Sequence, residues 1–183
     1  MKLPAKYAYL ESGDMPATIR EAVKLFGVRE TPGSEDNATI LAWAKEVEQA
    51  IGVAHLGYTA DSIPWCGLFA GIVCVRAKWA EQMPKTPLWA RSWLEFGQKS
   101  PNPGIGDIMV FSRDGGGHVG FYVGEDMTYF HVLGGNQSDA VTITRVAKGR
   151  LLGARRPKWR IAQPASVKTV LVGATGQISK NEA

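Results

Sequence analysis

Apolar positions along the chain change their period about halfway. In the first half they recur every three or four residues. Ile19, Val23 and Phe26 do so in "MPATIREAVKLFG", which closes on Gly27. Ile40, Leu41, Ala44, Val47 and Ile51 do so in a longer stretch that closes on Gly52, after a turn at Pro32–Gly33. Both read as amphipathic helices stopped by glycine. Pro64 opens a third helix, since proline is tolerated in a first turn. That helix is predicted over 65–79, before Pro84, and it is apolar enough to be buried. "PLWARSWLEFG" reads as a short fourth helix ending at Gly97, and the first dozen residues as an extended lead-in.

After the turn-rich bridge "SPNPGIGD" the runs become short, apolar or alternating. They cover 107–113, 118–125, 128–135, 140–146 and 150–157, separated by "RDGGG", "GED" and "NQSD". This is the pattern of an antiparallel meander. Helices followed by such a sheet define an α+β fold, with N-terminal helices packed on a C-terminal antiparallel sheet of about five strands. The 183 residues suit one domain, over 1–160, followed by a tail or linker over 161–183 that reads as loosely ordered. No internal repeat is present.

Charge narrows the choice of partners. The net charge is +4, which favours polyanions. The run "RVAKGRLLGARRPKWR" carries Arg145, Lys148, Arg150, Arg155, Arg156, Lys158 and Arg160 with no acid among them. No nucleic-acid reader motif accompanies it, so the plainer reading is a solvated strand face and a basic exit segment. The start "MKLPAKYAYL" lacks the apolar core of a signal peptide, and no stretch is apolar enough to span a membrane. The expectation is a monomer made in the cytoplasm.

Two cysteines occur, both in the third helix. Eight helical residues hold Cys66 and Cys74 about 12 Å apart along the axis, which precludes a disulfide within the helix. Cys74 lies mid-helix between valines and reads as packing. Cys66 lies in the first turn, where unpaired N–H groups and the helix dipole favour a thiolate. A thiol nucleophile needs a base, and the base needs an orienting group. His118, after three glycines at the start of a strand, is the candidate base. His131 on the next strand and Asn136 beyond it are both candidate orienters. His55 reads as a surface residue. The three histidines lack the spacing of a zinc site, and "GDIMVFSRDGGG" lacks the order of a phosphate loop. The expectation is therefore no metal and no cofactor.

Taken in order, "PWCGLFAG", "PGIGDIMVFSRDGGGHVGFYVGE", "VLGGNQSDAVTI" and "RLLGARRP" resemble the NlpC-type and CHAP-type cysteine hydrolases of bacterial cell walls. The likeness spans about 17–156 and is greatest to a phage endolysin-like branch carrying "LGGNQ". The resemblance implies a papain-like fold that cleaves an amide bond in the peptide part of peptidoglycan, as an endopeptidase or an N-acetylmuramoyl-L-alanine amidase. Cys66 then matches the nucleophile and His118 the base. For the third member the "LGGNQ" context favours Asn136, with His131 as the alternative. Trp65, Tyr122 and Trp89 are candidate rings lining the substrate groove.

With no signal peptide, a lysin released into the wall of an infected host is the expected setting. Two other readings remain at this stage. One is a non-catalytic wall-binding or virion structural module, and the other a secreted antibacterial effector with the same chemistry. Neither nucleic acid nor an integral membrane segment enters any of them.

Overall fold

A computed structural model of the protein describes residues 1–33 and 35–179. The fold is α+β, and its helices precede its sheet as expected. A 3-10 turn at Ala5–Glu11 leads to α1 (Ala17–Lys24), α2 (Ala38–Ile51) and α3 (Cys66–Arg76). The strands are β1 (Gln98–Lys99), β2 (Ile108–Arg113), β3 (Gly116–Glu125), β4 (Tyr129–Gly134), β5 (Thr142–Ala147) and β6 (Leu151–Arg156). They form one antiparallel sheet of six strands in the order β1-β6-β2-β3-β4-β5.

Local chemistry sets the helix ends. The Asn37 side chain caps α2 by accepting from the amides of Thr39 at 2.8 Å and Ile40 at 3.4 Å. Gly52 ends that helix at φ 72°, a conformation glycine reaches without strain. The third helix stops three residues short of the expected Trp79. Lys78 turns left-handed at φ 65°, and the amides of Lys78 and Trp79 reach back to the carbonyls of Val75 and Cys74. That bond pair is a Schellman ending, made here without glycine and so without the usual signal. The expected fourth helix is a 3-10 segment, Ala90–Glu95.

The core lies between α3 and the sheet. Every residue of α3 from Cys66 to Cys74 is buried. Trp43 of α2 stacks near Trp65 and Phe69, with ring centroids 6.0 and 6.4 Å apart, and Phe69 meets Phe121 of β3 edge-on at 5.9 Å. These aromatics fix α3 on β3.

Three expectations about the second half are revised. β1 adds a sixth, two-residue strand too short to leave a pattern in the sequence. Most of the basic run is partnered by acids of the same chain: Arg145 pairs with Asp126, Lys148 with Glu125 and Arg156 with Asp107 within the fold, and Arg160 pairs with Glu81 at the exposed surface. The segment read as a tail runs against the sheet. Its Val167 is buried, Val170 and Val172 bond the backbone of Glu125, and Gln177 and Ser179 bond both sides of Arg145. Residues 180–183 of that segment lie outside the described residues.

Candidate active site

Cys66 is the first residue of α3. Trp65 precedes it at φ −121° and ψ 17°, outside both the helical and the extended regions, and no side chain caps the helix, so the first-turn amides are not taken by a capping group. The entry into the helix is held rigidly. The Trp65 indole N–H donates to Glu30 Oε1 at 2.6 Å, and burial pushes the Glu30 carboxyl up from its ordinary value despite that bond. A Cβ at Gly67 would collide with the carbonyl oxygens of Pro87 and Leu88. The chain leading into the 3-10 segment therefore lies directly against the residue after Cys66.

His118 is the third residue of β3, opposite Phe111 on β2, and is fully buried. Its Nε2 lies 3.1 Å from Oε1 of Gln137. The orientation of that amide follows from its other contacts. Gln137 Nε2 lies 2.6 Å from the Thr142 carbonyl and 3.3 Å from the Val132 carbonyl, and both are acceptors only. The nitrogen must face them, so the oxygen faces His118 and the hydroxyl of Thr144, which donates at 2.8 Å. An amide oxygen can only accept. His118 Nε2 is consequently the protonated nitrogen, and in the neutral ring Nδ1 carries the lone pair.

Gly134 and Gly135 join the two halves. A Cβ at Gly134 would stand 3.0 Å from His118 Nε2 and 2.9 Å from Gln137 Oε1. One at Gly135 would stand 2.5 Å from the Phe69 Cβ and 2.6 Å from the Trp65 ring. The residues on either side of Cys66's first turn thus pack against one end of this dipeptide, and the His118–Gln137 pair packs against the other.

The remaining sequence candidates fall differently. Asn136 makes no hydrogen bond to His118 among the described residues. It occupies a left-handed turn position at φ 55° and makes no side-chain hydrogen bond among the described residues. His131 is also removed from the site. Its Nδ1 accepts from the Tyr7 hydroxyl at 2.7 Å, and its Nε2 donates to Asp126 at 3.0 Å, tying the N-terminal 3-10 turn to the sheet. Burial lowers the His131 pKa, with the nearby Asp126 opposing. Gln137, overlooked in the sequence, is the group that orients His118.

Of the proposed groove rings, Trp65 and Tyr122 are fully buried. Tyr122 donates its hydroxyl to Glu125 at 2.9 Å, and burial pushes its pKa up. Neither can line a surface, because each is needed to fill the core. Trp89 is 74% exposed and does line a groove. His55 is exposed beside Glu48, and Cys74 is fully buried, which pushes its thiol pKa up.

Two roomier grooves of about 640 Å3 each lie elsewhere, one beside Tyr9, Ile105 and Val170 and one beside Ile51, Met83 and Pro84. Neither is lined by a cysteine or a histidine. No helix is long and apolar enough to cross a membrane among the described residues. In comparisons with known proteins, no family model, no curated protein and no solved structure matches the chain.

Proposed function

We propose that the protein is a papain-like cysteine hydrolase that cleaves an amide bond in the peptide part of peptidoglycan, as a lysin would. The observation that carries this reading is the Gln137 amide, whose oxygen is turned to His118 Nε2 by two carbonyls that hold its nitrogen. A histidine with one nitrogen fixed as donor has the other ready as a base. The helix start at Cys66 supplies the nucleophile and its stabilising dipole. The wall specificity rests on the "PWC", "GHVGFY" and "LGGNQ" resemblance alone.

In this mechanism His118 Nδ1 takes the proton of Cys66 Sγ. The thiolate attacks the scissile carbonyl carbon, and the backbone N–H of Cys66 helps hold the oxyanion. The intermediate collapses as the imidazolium protonates the departing amine nitrogen, leaving a thioester on Cys66. His118 then deprotonates a water, which attacks the thioester carbonyl and releases the carboxylic acid and the thiol. Gln137 keeps the ring in one tautomer through both halves.

The test is clearing of purified cell walls by Cys66→Ala protein. Loss of clearing, with the melting temperature kept, supports the proposal. Clearing at the wild-type rate rejects it.

A further inference from the structure

A second feature lies between the elements that carry Cys66 and His118. The chain over 87–91 touches α3 at Gly67, and it touches β3 at Gly117, where a Cβ would stand 3.0 Å from the Arg91 side chain and 3.4 Å from Ala90. This chain walls one side of a cavity of about 380 Å3, lined by Trp89, Ala90, Arg91, Arg113 and the backbone of residues 115–117.

No carboxylate lines this cavity, and two guanidinium groups do. Arg91 is anchored, donating from Nε and Nη2 to the Gly116 carbonyl at 3.1 and 2.8 Å. Arg113, at the end of β2, has Nε and Nη1 shielded from solvent with no hydrogen-bond partner among the described residues. Asp114 follows in the turn but is exposed and pairs with neither arginine among the described residues. A guanidinium with unmet donors is destabilising in itself, and a carboxylate can accept from it in a charge-assisted hydrogen bond. Trp89 adds an exposed aromatic face at the rim.

We propose that this groove is the specificity site for an ionised carboxylate on the substrate peptide. Arg113 is the primary acceptor-binding group, Arg91 the second cation, and Trp89 the surface for the neighbouring apolar stem. The inference rests on the hydrolase reading for its substrate class: a wall stem peptide with a free carboxylate near the scissile amide, in preference to one capped as carboxamide.

Calorimetric titration of Cys66→Ala protein with a stem tetrapeptide, and with the same peptide as its carboxamides, tests it without turnover. The free acid is expected to bind about tenfold more tightly, the range of one charge-assisted hydrogen bond. Arg113→Gln is expected to abolish the difference, and Arg113→Lys to restore part of it. Thermal melts and backbone spectra of each variant check that it is folded. Equal binding of the two peptides, or discrimination that persists in a folded Arg113→Gln protein, overturns the proposal. Discrimination in binding, paired with wild-type protein that cleaves no wall fragment, keeps the groove and overturns the hydrolase reading. Cleavage of both peptides at equal rates does the reverse.

Discussion

Replacing Gln137 with methionine keeps the side-chain length and removes only the amide. The change leaves two buried donors without acceptors, His118 Nε2 and the Thr144 hydroxyl, and strips two carbonyls of an extra donor. Unmet buried groups cost about 1–3 kcal/mol each, and the hydroxyl can turn elsewhere, so a net loss of about 3 kcal/mol is expected. In a chain of this size that lowers the melting temperature by about 6–12 °C. A domain stability of about 5–15 kcal/mol leaves the protein folded at 25 °C.

The effect on rate has a separate origin. Without Gln137 the His118 ring is free to place its proton on Nδ1, where it can no longer accept one from Cys66. A wrong tautomer costs about 10⁴-fold where a buried carboxylate does the orienting, and a neutral amide holds less, so a fall of about a hundredfold in kcat is expected. Amine release from purified walls at 25 °C measures the rate, and a melt on the same sample measures the stability. Asn136→Ala is the comparison. It should lose about 1 kcal/mol from its left-handed backbone and keep its rate within about threefold. A folded Gln137→Met protein as fast as wild type, or an Asn136→Ala protein as slow as Gln137→Met, would refute the assignment.

The other predictions concern different parts of the molecule. Iodoacetamide near neutral pH should label Cys66 and spare Cys74, whose thiol burial holds protonated, so label in Cys66→Ala protein should fall close to zero by mass spectrometry. Gly135→Ala should destabilise by about 1–3 kcal/mol, since its methyl group meets Phe69 and the Trp65 ring, and wall clearing should fall with it. Acid should weaken the fold through His131: its folded pKa lies below the unfolded value, so the unfolded chain takes up more protons and stability declines as pH falls below about 6.5. His131→Gln should flatten the melting-temperature profile between about pH 6.5 and 5, and an unchanged slope would count against the assignment.

Periodicity carried most of the fold. Ile40 to Ile51 repeat at helical spacing over three turns, and the alternating runs after Asp107 are each bounded by glycine or aspartate. The expected strand bounds fall within two residues of β2 to β6. What escaped lacked a local signature. Lys78 ends α3 in a conformation usually marked by glycine, and β1 is two residues long. In the site, the cysteine and histidine stood out because their residue types are scarce. The orienter did not, because "NQSD" reads as turn chemistry throughout. The structure separates its members: Asn136, Ser138 and Asp139 take positive φ, and Gln137 does not. A long amide among three good turn formers, in a turn that does not need it, is a signal that could have been used. Burial was also illegible for single rings, so Trp65 and Tyr122 could not be told from Trp89.

The C-terminal segment bears on how the protein can be cut or joined. β5 is an outer strand of the sheet, and the peptide groups of Arg145 that would face solvent there are engaged by Gln177 and Ser179. A chain trimmed at residue 160 would bare that edge, a template for pairing with another copy, together with the apolar bed of Val167. Soluble expression of a shortened form, or grafting of a second domain, is therefore governed by a seam near residue 179 rather than by the last strand of the sheet.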